Sequence, residues 1–155
     1  MALLLEGKRE EAEPIASAAF QDDRTSARNA GIWIDTMPLD RPMAEIQAAL
    51  PPALLESLDI QLHLALRSGG IGDADRHLAH AQAALAIAPE DWRVVATLAE
   101  ALVQPLSPLE GLEITHEVPA HLQADVERAI GLLKAAWKAF WTKTPVSRAG
   151  MCRPT

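Results

Sequence analysis

The 155-residue sequence contains no tyrosine, and only 4% of its residues are aromatic. Its single cysteine, Cys152, excludes an internal disulfide, and such chains are typical of reducing compartments. The apolar runs are all shorter than the roughly 20 residues that a membrane-spanning helix needs. The run at positions 3–5 is also too short for a signal peptide. These absences predict a cytoplasmic protein without a membrane segment.

Alanine and leucine supply most of the 49% of residues that are hydrophobic, and β-branched residues rarely alternate with polar ones. This composition is typical of an all-α protein. The net charge of −7 disfavours a nucleic-acid partner, because the phosphate backbone attracts basic surfaces. The basic residues that follow Glu127 are interpreted as complementing the negative end of the helix dipole and as part of a solvated tail.

Residues 72–104 hold the clearest helical pattern in the chain. Asp73 begins a predicted helix over 74–88, and Asp91 is the expected N-cap of a second helix over 92–104. Small and apolar residues recur every three or four positions on one face of each helix. Two such helices joined by a short turn are expected to pack antiparallel.

Glycine and small residues also recur over a longer interval. Gly72 lies about 65 positions after Gly7, close to twice the roughly 34 residues of one common helical repeat. The small and apolar positions of that repeat are matched by Ala12, Ala16 and Ala19 in the first copy, by Ala81, Ala84, Leu85 and Pro89 in the second, and by Leu98, Ala99 and Leu102 in the next. On these residues the chain resembles the tetratricopeptide repeat family, with degenerate repeats between the two copies.

The resemblance implies an α-solenoid of antiparallel helix pairs wound into a right-handed superhelix. Residues 1–142 would form this domain, and 143–155 would be a flexible tail. The helix pairs would span 1–21, 25–50, 53–88 and 91–142. The inserted loop at 105–119 is expected to be an ordinary insertion, with a functional flap as the alternative. Both ends look interrupted, as in a piece of a longer repeat array. His77 replaces the alanine of the family, and its ring is expected to push the two helices of that pair apart.

Three local features of the first half carry further predictions. Pro14 is compatible with a helix that begins near Glu10 or Glu11. Asp40 is predicted to cap a short helix with Pro42 in its first turn. The next helix, ending at 69–70, is apolar on two faces and should lie between neighbours.

In the family, the first helix of each pair lines a concave groove that binds peptides or partner proteins. The resemblance therefore implies a protein-interaction or scaffold module. It places these polar residues in the groove: Asp59, His63, Arg93, Thr97 and Glu100.

The last predicted helix, 120–141, carries an apolar stripe with nothing after it to cover it. Its aromatic end, formed by Trp137, Phe140 and Trp141, is predicted to be an exposed docking surface. Another protein or a second copy of the chain, giving a homo-oligomer, could cover it.

No catalytic constellation is present in the sequence, so neither an enzyme nor a cofactor is predicted. Two alternatives stay open. The chain could be a regulatory or substrate-recruiting segment of a larger enzyme. It could also be a metal-binding helical bundle using His63, His77 and His80, although no cysteine or HExxH spacing supports a metal site. Otherwise His80 is expected to be solvated.

Overall fold

The computed structural model describes residues 8–105, 118 and 120–143, with side chains as far as Lys138. Every regular element in these ranges is helical, which confirms the all-α class. No helix among them is long and apolar enough to cross a membrane. The elements are α1 Arg9–Asp22, α2 Ala27–Thr36, α3 Met43–Ala49, α4 Pro52–Leu55, α5 Leu58–Gly70, α6 Ala74–Ile87, α7 Trp92–Val103, a 3₁₀ helix Ala120–Leu122 and α8 Gln123–Lys143.

Several predictions fall outside the described residues. They concern the helix end at 1–6, most of the loop at 105–119 and the tail at 143–155 beyond Lys143. The side chains of Phe140 and Trp141 also lie outside the described part.

Side-chain caps fix the beginnings of four helices. Ser26, Ser57, Asp73 and Asp91 each accept a hydrogen bond from a backbone amide in the first turn of the helix that follows. Such bonds satisfy amides that have no partner within the helix. The predicted cap at Asp91 is confirmed, and Asp73, which was predicted to open its helix, also acts as a cap.

Two local predictions are wrong. The short helix α3 has Pro42 at its N-cap position without a side-chain cap, because Asp40 belongs to a turn closed by the Arg41 amide and the Pro38 carbonyl. Helix α1 begins at Arg9, which places Pro14 in its second turn rather than its first. Proline lacks an amide hydrogen, so the carbonyl four residues earlier loses its helical partner.

Helix α5 lies between two groups of buried side chains, as its two apolar faces predict. Ile60 and Leu64 join a cluster formed with α1, α2, α3 and α4. Leu62 points the other way, into a cluster with Ala84 of α6 and Val94 of α7. A third cluster joins α6, α7 and α8.

The helices pack in a sequential order. Helix α1 packs on α2, α2 on α5, α5 on α6, α6 on α7 and α7 on α8. Side-chain bonds give their directions: Gln61 meets His80, whereas Gly69 lies against His77, so α5 and α6 are antiparallel. One antiparallel pair, α5 with α6, is thus present, while an α-solenoid of such pairs wound into a right-handed superhelix stays a prediction.

The expectation that His77 separates α5 from α6 is wrong. Its ring is only 1% exposed, and these two helices form the most extensive helix contact in the described chain. Gly69 makes the room, because a Cβ atom there would lie 2.8 Å from His77 Nδ1. His77 Nδ1 donates to Gln104 Oε1 at 2.6 Å, and Gln104 Nε2 donates to the Gly69 carbonyl at 3.1 Å. A glycine on the facing helix therefore accommodates the larger side chain.

Arg67 of α5 holds the end of α2. Its buried guanidinium donates to the carbonyls of Ile34 at 3.1 Å, Met37 at 2.9 Å and Pro38. Ile34 lies in the last turn of α2, and Met37 and Pro38 follow that turn, so these carbonyls lack intrahelical partners. Burial lowers the pKa of Arg67. These three hydrogen bonds hold α2 against α5, and α5 is one of the two helices that line the candidate functional site.

Candidate functional site: a groove between two repeat helices

A cavity of about 390 Å³ lies between α5 and α7. Helix α5 contributes Asp59, Leu62, His63 and Leu66, and helix α7 contributes Trp92, Arg93, Ala96, Thr97 and Glu100. We call this cavity and its lining the α5/α7 groove. It is open to solvent and has an apolar floor with polar groups around it, an arrangement suited to binding.

The two walls of the groove are related by a constant sequence interval. Arg93 contacts Asp59, 34 residues earlier in the chain, and the same interval separates three further pairs of lining residues: Leu62 with Ala96, His63 with Thr97, and Leu66 with Glu100. The Arg93–Asp59 contact brings the beginnings of α5 and α7 together. The 34-residue interval is the length of one tetratricopeptide repeat.

All five polar residues predicted for a groove line this cavity. Sequence reasoning missed the four apolar members, Leu62, Leu66, Trp92 and Ala96. The 34-residue interval could have found Leu66, which lies 34 positions before Glu100, but not the other three, because none of them lies at this interval from a predicted residue. Whether any of these residues binds a partner stays a prediction.

Arg93 is held by carboxylates on both sides of the groove. Its Nη2 donates to Asp91 Oδ2 at 2.7 Å, and its Nη1 donates to Asp59 Oδ1 at 3.4 Å. The hydrogen bond from Arg93 holds the pKa of Asp91 below its ordinary value, and the same bond raises the pKa of Arg93. The guanidinium is thus already shared between two carboxylates.

His63 connects the groove to α2. Its Nδ1 lies 2.9 Å from Asp35 Oδ1, and because a carboxylate only accepts, Nδ1 is the donor. Gly31 permits this approach, since a Cβ atom there would overlap the imidazole ring. Three helices therefore meet at His63: α5, which carries it, α2 and α7.

Glu100 lies near the C-terminal end of α7, on the same wall as Arg93. Its side chain is exposed, and it forms no ion pair with any residue that the structure describes. Thr97, one turn earlier, is buried. Glu100 thus offers an uncompensated negative charge to a ligand in the groove.

Two large apolar side chains are exposed at the groove. Trp92 is 69% exposed at the first position of α7, and Leu66 is 51% exposed on α5. Exposed tryptophan and leucine side chains around a concave surface are typical of recognition sites. They give the groove an apolar contact surface beside its charges.

The three histidines considered for a metal site each have a different partner. His63 bonds to Asp35 and His77 to Gln104, while His80 lies between Gln61 and Gln47 at 2.8 and 3.0 Å. His80 is therefore not solvated as expected. Among the described residues, no three His, Cys, Asp or Glu side chains are grouped to hold a metal ion.

The apolar stripe of α8 has an exposed section. Ile130, Leu133 and Trp137 are 46%, 48% and 65% exposed, whereas Ala129, one turn before Leu133, is buried against α7. We call Ile130, Leu133 and Trp137 the α8 face. The exposure of Trp137 agrees with its predicted place on the surface, while docking there stays a prediction.

The chain was compared with models of protein families, with curated proteins and with solved structures, and none of the three comparisons found a match.

Proposed function

We propose that this chain is a protein-interaction module of the tetratricopeptide kind, built as a right-handed stack of antiparallel helix pairs. It binds a short segment of a partner protein in the α5/α7 groove. It acts in the cytoplasm, without catalysis or a cofactor of its own.

The observation that best supports this proposal is the α5/α7 groove, where polar side chains lie beside the exposed Trp92 and Leu66. Covering these two side chains with a partner contributes about 2–5 kcal/mol, at roughly 25 cal/mol for each Å² of apolar surface removed from water. Tryptophan residues at such positions often dominate binding energy.

The repeat architecture is supported by two features of the packing. Each long helix packs mainly on its sequence neighbours, and lining residues of α5 and α7 are paired at a 34-residue interval. Repeat proteins pack in this manner, because each unit buries its apolar face on the next.

The test compares two exposed tryptophans. The full chain and its Trp92→Ala and Trp137→Ala variants are immobilised and exposed to lysate of the source cell. Proteins retained by the wild type and by Trp137→Ala but lost with Trp92→Ala are groove partners. One of them is then purified, and its Kd for each variant is measured by calorimetry.

We expect Trp92→Ala to weaken binding of the purified partner at least tenfold, and Trp137→Ala to change it less than twofold. Circular dichroism provides the folding control, since both side chains are exposed and their loss should leave the helix content unchanged. If Trp92→Ala and Leu66→Asp both leave capture unchanged, the groove is not the binding site.

A second surface is proposed on α8, where a second copy of the chain would cover the α8 face in an antiparallel helix pair. Acidic residues lie early in this helix, at Asp125 and Glu127, and basic residues lie later, at Lys134 and Lys138. Antiparallel pairing of two copies places the acidic half of one beside the basic half of the other.

Light scattering over a range of protein concentrations tests the dimer. We expect a dimer for the wild type and a monomer for Leu133→Asp, while Leu39→Asp on another exposed surface stays dimeric. A wild type that is monomeric at every concentration would rule out this contact.

A further inference from the structure

We propose that the groove selects a cationic segment, a short stretch of a partner protein that carries lysine or arginine next to an apolar side chain. This inference rests on the proposed function and names the chemistry of the partner. It follows from the balance of charge around the α5/α7 groove.

Carboxylates outnumber cations at the groove. Asp59 and Asp91 share one guanidinium, that of Arg93, at 3.4 and 2.7 Å. Asp35, outside the lining, accepts from the imidazole of His63 and also interacts electrostatically with Arg67. Glu100 has no cationic partner within the described residues. Among the lining residues, the two carboxylates of Asp59 and Glu100 are accompanied by one guanidinium, that of Arg93, so the groove carries a net negative charge that a positively charged segment complements.

The described lining of the groove offers no free basic side chain to an anionic partner. Among the described lining residues, Arg93 is the one lysine or arginine, and its guanidinium already donates to two carboxylates. A phosphate or a terminal carboxylate is normally bound by several free basic groups. Such a ligand would have to displace Asp59 or Asp91 from Arg93.

The spacing of the groups sets the length of the segment. Trp92, Ala96 and Glu100 follow one face of α7 at intervals of four residues, so Trp92 and Glu100 are about 12 Å apart along the helix axis. About four residues of extended chain cover this distance. A lysine or arginine at one end would pair with Glu100, and an apolar side chain would lie over Leu62 and Ala96.

Trp92 adds a second contribution at the other end of the groove. A tryptophan ring attracts a lysine or arginine side chain through its face as well as any apolar side chain. Its 69% exposure leaves the ring accessible to a ligand. A segment with basic residues about four positions apart can therefore contact both Glu100 and Trp92.

The experiment uses two pools of synthetic hexapeptides that share the same leucine positions. One pool carries lysine or arginine at the variable positions, and the other carries aspartate or glutamate. Binding to the full chain is measured by fluorescence anisotropy at low and at high salt. Glu100→Lys is compared with Glu11→Lys, which makes the same change of net charge on α1, away from the groove.

We expect the cationic pool to bind at least fivefold more tightly than the anionic one, with the difference reduced at high salt. Glu100→Lys should weaken binding of the cationic pool about fivefold, and Glu11→Lys should leave it unchanged. Circular dichroism of both variants checks that they are folded.

Three results would overturn the inference. Equal binding of both pools, lost with Trp92→Ala, would leave the groove as a binding site but remove its charge selectivity. Preference for the anionic pool would reverse the assigned chemistry. Failure of both pools to bind, while a purified partner still depends on Trp92, would show that a cationic segment is not what the groove recognises.

Discussion

At the scale of single residues, His77 shows how a substitution in a repeat pattern is accommodated. The ring lies where the pattern requires alanine, and the absent side chain of Gly69 on the facing helix provides its space. The pattern alone could not predict this, because the compensating glycine lies on another helix. The cost is one buried ring nitrogen, His77 Nε2, without a hydrogen-bond partner among the described residues.

Gly69→Ala is expected to lower the free energy of unfolding by about 1–3 kcal/mol, because the new methyl group meets a buried ring that has no space to move. Gly70→Ala is the matched control. No atom lies within 4 Å of a Cβ there, so the change should be neutral or stabilise by up to about 1 kcal/mol. Urea unfolding of both variants gives the two values.

A double-mutant cycle identifies the cause. In a His77→Ala background the ring is gone, so Gly69→Ala should cost at least about 1 kcal/mol less than it does in the wild type. If the two changes are simply additive, steric overlap with His77 is not the source of the effect.

His80 predicts a pH dependence of stability. Gln61 Oε1 accepts from Nδ1 and the Gln47 amide donates to Nε2, an arrangement that suits the neutral ring. Burial, with a smaller contribution from Arg76, lowers the pKa of His80 below its ordinary 6.5. The folded chain therefore binds this proton less readily than the unfolded chain, and stability falls as the pH drops below about 6.5.

His80→Gln removes this titration. The stability of the wild type relative to His80→Gln should be greatest near pH 7.5 and should decrease towards pH 5, as followed by thermal unfolding at each pH. A difference that grows on acidification would mean that the folded state favours the charged ring.

At the scale of helices, local chemistry predicted some boundaries and missed others. Asp73 and Asp91 stand directly before a periodic stretch and both cap the helix that follows, as was predicted for Asp91. Asp40 is also an aspartate before a helix, but it lies in a turn closed by a hydrogen bond from the Arg41 amide to the Pro38 carbonyl. Pro42, rather than Asp40, is therefore at the N-cap position. Arg67 gave no local signal, because its acceptors are backbone carbonyls about 30 residues earlier in the chain.

Arg67→Met tests how α2 is held against α5. Methionine retains the apolar stem but leaves the carbonyls of Ile34, Met37 and Pro38 without these donors. We expect a loss of about 2–4 kcal/mol in the free energy of unfolding. Arg41→Met removes an exposed ion pair with Glu45 and should change stability by less than about 0.5 kcal/mol. Equal effects of the two changes in chemical denaturation would contradict the role of Arg67.

At the scale of the whole molecule, residues far apart in the sequence line one cavity: Asp59 and His63 of α5 lie there with Arg93, Thr97 and Glu100 of α7, and binding of a partner by them stays a prediction. The sequence places Trp92 only at the beginning of a helix and does not predict its exposure. Its exposure follows from its place at the first position of α7, beyond the buried stretch that begins at Val94.

A stack held by contacts between neighbouring helices should not unfold as a single unit. Helix α8 packs chiefly on α7, and Ala129, which is 2% exposed, lies in that contact with Leu98, Ala101 and Leu102. Ala129→Asp introduces a carboxylate into an apolar seam, where burial without a partner costs several kcal/mol. We expect α8 to detach while α2 and α5 keep their packing.

Native-state hydrogen exchange measures this directly, because it reports the opening of each helix separately. In Ala129→Asp, amides of α8 should lose protection at least tenfold, and those of α2 and α5 should change little. Ala135→Asp is the control, since Ala135 is exposed and lies outside the α8 face, so that a carboxylate there stays in water. A uniform loss of protection in α2, α5 and α8 would mean that these helices unfold together as one cooperative unit.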